Sequence, residues 1–106
     1  MKQNRTIEVN ELLDWYGCLL TERQMQICQE YYFDDLSLSE LSENYNISRA
    51  AVSDMLKRSE KIMRDYEEKL NLVEKFHVRI EIYDKMKSYG FEEINQLVIQ
   101  LEKNEE

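Results

Sequence analysis

The sequence predicts an all-α protein, and three observations support this fold class. The 106 residues include no proline and only two glycines, so residues that break helices or form sharp turns are scarce. Apolar residues recur at spacings of three and four along most of the chain, which is the period of an amphipathic helix. Serine and threonine residues stand at positions where helix N-caps are expected. We therefore expect helices joined by short links.

Length and composition predict one soluble helical domain that spans residues 1–106. Hydrophobic residues make up 42% of the chain and charged residues 34%, a balance typical of folded proteins rather than disordered ones. No apolar run approaches the ~20 residues that cross a bilayer, and the first residues lack the apolar core of a signal peptide. We expect a cytoplasmic protein with no membrane contact.

The first helix is predicted from about Ile7 to Leu19. Apolar residues at helical spacing give it one face that can enter a core. These residues are Val9, Leu12, Leu13, Tyr16 and Leu20.

A second helix is predicted to begin after Thr21. Thr21 and Gln24 have the spacing of a capping box, in which each side chain accepts a hydrogen bond from the other residue's backbone amide. The string Phe33-Asp34-Asp35 is expected to end this helix.

Residues 20–60 have the arrangement of a helix-turn-helix, in which a support helix precedes a short helix, a tight turn and a longer helix. Ser37 and Glu40 form a second capping box, Asn46 suits the turn because asparagine tolerates left-handed backbone angles, and Ser48 caps the next helix. The side chains expected at the helix crossing are Leu38, Leu41, Ile47, Val52 and Met55 or Leu56.

From Arg49 to Ser88 nothing in the sequence stops the helix. Forty residues would form a rod of roughly 60 Å, whereas a compact domain of this size has a radius of gyration of about 13 Å. Two alternatives remain open: a break near Leu70-Asn71, where Asn71 and Glu74 can form another cap, or a protruding helix that packs on a second copy. Gly90 is the expected stop, and a last amphipathic helix contains Ile94, Leu97, Val98 and Leu101.

The C-terminal helices, residues 61–103, are predicted to serve in dimerisation or packing. Apolar residues there alternate strictly at three and four, as in a narrow helix–helix seam. This seam consists of Val73, Phe76, Ile80 and Tyr83. Together with the stripe of the last helix, it predicts a homodimer.

Longer strings resemble known families. The string LLTERQMQICQEYYFDDLSLSELSENYNISRAAVSDMLKRS resembles region four of bacterial sigma factors. The closer similarity is to the YlxM family, because SLSELSENYNISRAAVSDMLKRS is followed by DYEEKL and KFHVRIEIYDKMK, which resemble that family's C-terminal helices. The resemblance covers about residues 12 to 88. It implies an accessory or regulatory role in the signal recognition particle (SRP) pathway, with the particle's RNA, its GTPase, or both as partners.

A candidate nucleic-acid interface lies on the helix that begins after Ser48. Its outward residues are predicted to be Arg49, Ser53, Lys57, Arg58 and Lys61. Positions 49 to 64 contain five basic residues and two acidic ones, which gives this stretch a net charge of +3.

The charge of the rest of the chain favours a simpler interpretation, in which this face of the helix is exposed to solvent and binds no nucleic acid. The whole chain carries a net charge of -8, and residues 21–60 contain four basic residues against eight acidic ones. Asp54 stands at a position expected to face a groove, where its carboxylate repels phosphates. Both interpretations remain open. Sequence-specific DNA binding by a transcription regulator is the alternative to the SRP role.

No catalytic, metal or cofactor site is predicted. Cys18 and Cys28 are interpreted as small hydrophobic residues, and His77 has no cysteine or histidine at metal-ligand spacing. The paired acids Asp34-Asp35 and Glu67-Glu68 are interpreted as linker and surface charge. Because the chain also lacks a glycine-rich phosphate loop, we expect a protein that is not an enzyme.

Overall fold

A computed structural model describes the backbone of residues 2–106 and the side chains of residues 6–106. Within that range the chain forms α-helices and no strand, which confirms the all-α prediction. The helices are α1 (Lys2–Tyr16), α2 (Glu22–Cys28), α3 (Leu38–Tyr45), α4 (Arg49–Leu70), α5 (Leu72–Ser88) and α6 (Glu92–Asn104). A 3₁₀ turn (Gly17–Leu19) comes after α1, and a π-helical turn (Gln29–Phe33) continues α2.

The chain divides into two compact units, the head (Met1–Val73) and the hairpin (Glu74–Glu106). The predicted helix-turn-helix segment, residues 20–60, lies within the head. A single domain over residues 1–106 stays a prediction.

The core of the head is built around α4, which contacts α1, α2 and α3. Apolar side chains at helical spacing on each of these helices lose their contact with water, and their burial is the main favourable contribution to folding. The completely buried ones are Val9, Tyr16, Ile27, Cys28, Leu41, Val52 and Met63.

The N-caps lie where the sequence predicts them. Both capping boxes are formed: Thr21 Oγ1 accepts from the Gln24 amide at 3.2 Å, and Ser37 Oγ accepts from the Glu40 amide at 3.0 Å. Ser48 Oγ accepts from the Ala51 amide at 3.0 Å. Each cap satisfies an amide that would otherwise lack a partner, so the starts of α2, α3 and α4 are fixed locally.

The end of the second helix differs from a simple stop. After Cys28 the helix widens into the π-helical turn, in which the Asp34 amide donates to Gln29 O at 3.0 Å. Asp35 then takes the left-handed conformation with φ 61° and ends the helix. One extra residue in a turn rotates the subsequent residues about the helix axis by about 100°, and Phe33 is left 77% exposed.

The long helix breaks at Asn71, so the structure decides between the two alternatives. Asn71 has φ 55° and ψ 33°, the left-handed conformation that terminates α4. The first amides of α5 find partners in the head: the Leu72 amide donates to Tyr16 Oη at 3.2 Å and the Val73 amide to Glu67 Oε1 at 3.0 Å. Tyr16 Oη in turn donates to Glu67 Oε1. These bonds define the Asn71 joint.

The Asn71 joint also changes the interpretation of one acidic pair. Glu67, assigned to surface charge from the sequence, is half-buried and bonded to Tyr16 across 51 positions of the chain. Burial is the largest cause that raises the pKa of Tyr16, and the hydrogen bond to Glu67 raises it further. Glu67 is therefore a structural residue.

The hairpin consists mostly of α5 and α6 and is joined by polar contacts. Arg79 Nε and Nη2 donate to the two carboxylate oxygens of Glu105 at 2.8 and 2.9 Å, and Tyr83 Oη donates to Glu105 Oε1 at 3.0 Å. Lys87 Nζ pairs with Glu102 at 2.8 Å. Gly90, the predicted stop, has φ 75°, which glycine adopts without strain.

Candidate nucleic-acid interface

The turn between α3 and α4 has the geometry of a helix-turn-helix. Asn46 ends α3 in the left-handed conformation with φ 54°, as the sequence predicts. The Ser42 hydroxyl donates to Ile47 O across the turn, and Ser48 caps α4. Three residues thus separate the two helices, and Leu41 and Val52 are completely buried where α3 and α4 meet. The start of α4 is held on a fixed support.

The first half of α4 has one buried face and one exposed face. Val52, Leu56, Ser59 and Met63 are buried at spacings of three and four. On the other side the structure leaves Arg49, Lys57, Arg58 and Lys61 exposed and Ser53 half-buried. The five predicted site residues therefore all lie in the first half of α4 and are at least partly exposed to solvent.

Two of the four cations are occupied by neighbours on the same helix. Arg58 Nε pairs with Asp54 at 2.9 Å, and Lys61 Nζ pairs with Asp65 at 3.1 Å, both one helical turn apart. Pairs this exposed are weak and exchange readily with other charges. They nevertheless cancel part of the positive charge that the sequence count suggests.

Arg64, the fifth cation of the local count, is held more firmly. Its Nη1 pairs with Glu8 at 2.8 Å and its Nε pairs with Glu60 at 3.2 Å, so it joins α1 to α4. The hydrogen bond to Glu8 is the largest cause that raises the Arg64 pKa. Arg64 therefore stabilises the head.

Arg49 and Lys57 are the two cations of this face that have no ion pair or hydrogen bond among the side chains of residues 6–106. They are eight residues apart, about 12 Å along the helix. Arg49 also opens α4, where the helix dipole adds positive potential. The candidate interface thus has two available cations beside two paired ones.

A cluster on the support helix lies outside the predicted set. The Arg23 guanidinium stands 5.5 Å from the centroid of the Tyr45 ring, and the Tyr45 hydroxyl donates to Glu30. That hydrogen bond, with burial, raises the pKa of Tyr45 to about 12. The contact joins α2 to the end of α3, and because its residues are 15 and 22 positions apart in the sequence, no local pattern indicates it.

The four residues of the predicted seam are divided between the two units and differ in their packing. Val73 packs against the core of the head, and in the hairpin Tyr83 is buried, with its hydroxyl on Glu105. Phe76 and Ile80 are half-buried. The dimer itself stays a prediction.

Other residues singled out in the sequence have ordinary surroundings. Cys28 is buried and burial raises the pKa of its thiol, whereas Cys18 is exposed, so the interpretation as a buried hydrophobic residue holds for Cys28 alone. Over residues 6–106, no group of three or more His, Cys, Asp or Glu side chains is placed to hold a metal ion. None of the helices that the structure describes is long and apolar enough to cross a membrane.

These features define a helix-turn-helix protein. The family model of UPF0122, described as "helix-turn-helix protein, YlxM / p13 like", matches residues 3–104, and the chain belongs to this family. It is 43% identical to the UPF0122 protein YlxM of Bacillus subtilis, over 97% of this chain and 98% of that protein.

Other relatives are of comparable similarity. A UPF0122 protein of Streptococcus mutans is 46% identical over 84% of this chain and 82% of its own length. The UPF0122 protein YofM of Lactococcus lactis is 44% identical over 85% of this chain and 82% of its own length. The resemblance to the YlxM family is thus confirmed.

Proposed function

We propose that this protein is a non-enzymatic accessory protein of the signal recognition particle pathway, which acts in the cytoplasm and binds nucleic acid through the first half of α4. The observation that carries the proposal is the pair Arg49 and Lys57, exposed and without an ion pair in the part of the chain whose side chains are described. Membership of the family that the sequence resembles supports the pathway.

The charges on α4 favour RNA and phosphate contacts over base reading in a DNA major groove. A helix that reads a major groove places its outward residues against base edges. Here the outward positions include Ala50, which has no hydrogen-bonding side chain, and Asp54, which repels phosphates unless Arg58 screens it. Arg49 and Lys57 suit phosphates, which contribute affinity without sequence information.

A titration with SRP RNA tests the proposal. Labelled RNA is titrated with wild-type protein and with the Arg49→Ala/Lys57→Ala variant at several salt concentrations. Loss of two phosphate contacts should weaken binding about tenfold or more and lower the slope of log affinity against log salt by about 2.

The matched control is Lys75→Ala/Lys85→Ala, which removes the same charge from exposed positions of the hairpin. It should bind nearly as tightly as the wild type. Equal binding by the Arg49→Ala/Lys57→Ala variant and the wild type, or no binding by the wild type at low salt, would contradict the proposal.

The second candidate is a transcription regulator that binds specific duplex DNA. The three-residue turn and the accessible Arg49, Ser53 and Lys57 favour it, because DNA-binding helix-turn-helix domains present these positions to the groove. Gel shifts with genomic fragments separate the two candidates. A shift that survives excess unrelated duplex and is lost in the Arg49→Ala/Lys57→Ala variant would favour the regulator.

We also propose that the protein forms a homodimer through its hairpin. Large apolar side chains remain exposed on both hairpin helices, and exposed apolar surface is typical of interaction sites when it is contiguous. They include Val78, Ile82, Ile94, Leu97 and Leu101.

A further inference from the structure

A pocket of about 440 Å³ opens in the head between α1 and the π-helical turn. Its volume lies in the range of pockets that hold small ligands or the side chains of a partner. No residue of α3 or α4 lines it, so it is separate from the candidate nucleic-acid interface. The lining residues are Asn10, Leu13, Asp14, Gln29, Phe33 and Asp34.

The walls of this pocket are fixed by one side-chain and one backbone hydrogen bond. Asn10 Nδ2 donates to Tyr32 O at 3.2 Å, which ties α1 to the π-helical turn. The hydrogen bond from the Asp34 amide to Gln29 O closes that turn, and Asp35 ends it. The wide turn places the Phe33 ring at the rim of the pocket, 77% exposed. Turns of this kind often occur at functional sites.

The chemistry of the lining suits one kind of cation. Asp14 and Asp34 are exposed, and their carboxylates have no ion pair among the side chains of residues 6–106. Among residues 6–106, whose side chains the structure describes, no basic residue lines the pocket. A planar guanidinium can pair with carboxylates through parallel N–H groups and stack on an aromatic ring, as Phe33 offers, whereas an ammonium matches this combination less well.

We propose that the pocket binds an arginine side chain on the surface of a partner protein. The aliphatic part of that side chain would pack against Leu13 and Phe33, and its guanidinium would pair with Asp14 and Asp34. The net charge of -8 favours the approach of a basic protein. Because the pocket is separate from α4, the proposal does not depend on nucleic-acid binding.

The probe is a blocked amphipathic peptide with an arginine face and a leucine face. Its labelled form is titrated with the full chain, and binding is followed by fluorescence anisotropy at low salt. We expect saturable binding that weakens about tenfold in the Asp14→Asn/Asp34→Asn variant and weakens also in the Phe33→Ala variant. The same peptide with lysine in place of arginine should bind more weakly.

The matched control is Glu81→Gln/Asp84→Asn, which removes the same charge from exposed positions of α5. It should retain wild-type affinity for the peptide, and so should Arg49→Ala/Lys57→Ala. Circular dichroism establishes that each variant is folded. Absence of binding by the wild type, undiminished binding by Asp14→Asn/Asp34→Asn, or equal binding of the lysine and arginine peptides would overturn the proposal.

Discussion

The head and the hairpin are stabilised by different means. In the head, apolar side chains from α1, α2, α3 and α4 enclose one another, and seven of them are completely buried. In residues 74–106 only Tyr83 and Val98 are buried, and the ion pairs of Arg79 and Lys87 add polar contacts within the hairpin. Apolar burial on this scale stabilises more than a few ion pairs that stay partly open to solvent. The head therefore has a core of its own, whereas the hairpin leaves most of its large apolar side chains exposed.

The largest effect is expected from a cavity in the head. Leu41→Ala removes a completely buried side chain and should lower the free energy of unfolding by about 2–5 kcal/mol, measured by urea denaturation. Leu19→Ala, at a position 50% exposed, is the matched control and should cost less than about 0.5 kcal/mol. Equal losses in the two variants would break the contrast between buried and exposed positions.

The next effect concerns the exposed surface of the hairpin. Ile82→Glu/Leu97→Glu places two carboxylates on α5 and α6, and burying them in a dimer would require removing their hydration. We expect the dimer dissociation constant to rise about a hundredfold by sedimentation equilibrium. Ile7→Glu, at a position of the head that is 61% exposed, should leave it unchanged. A wild-type chain that sediments as a 12.9 kDa species throughout the micromolar range would remove the dimer proposal.

The smallest effect is a pH dependence of the hairpin. The hydrogen bond from Arg79 lowers the pKa of Glu105 below its ordinary 4.5, with a further contribution from Tyr83. The resulting stabilisation is complete above the ordinary pKa and is lost as the pH falls through the lowered value. Amide exchange protection in α6 should therefore decrease on acidification below about 4.5.

Glu105→Gln should start with less protection in α6 and lose less of it in acid. The control is Glu106→Gln, which neutralises the exposed neighbouring carboxylate. If amide exchange protection in α6 depends on pH in the same way in Glu105→Gln and in the wild type, the Arg79–Glu105 pair does not stabilise the hairpin. Ion pairs would then not explain how the hairpin is held together.

Local signals in the sequence predict much of the fold. The caps at Thr21, Ser37 and Ser48 and the left-handed turn at Asn46 depend on residues within four positions of one another, so the sequence contains them directly. The same holds for the exposed face of α4, because one helical period decides which residues are inward. The break at Asn71 remained one of two alternatives, since asparagine permits a left-handed angle without requiring it.

Long-range partners could not be predicted in the same way. Tyr16 and Glu67 meet because the head folds, and nothing near Glu67 in the sequence distinguishes it from Glu68. The pairs of Arg58 and Lys61 are different, because their acidic partners lie one helical turn away and the helical spacing of the sequence places them within reach, which a plain charge count ignores. The π-helical turn and the pocket beside it give no signal in a pattern of apolar spacing.

The Asn71 joint has a consequence for how such chains can be altered. Asn71 is left-handed and interrupts the helix. The side-chain directions around α5 therefore do not continue the helical repeat of α4. Insertions or deletions in the later segment would not turn Arg49 and Lys57 away from the side on which they stand. The amides of Leu72 and Val73 bond to Tyr16 and Glu67, and the side chains of Leu72 and Val73 pack against the core of the head, so a different C-terminal segment could be grafted after Val73 without disturbing the joint.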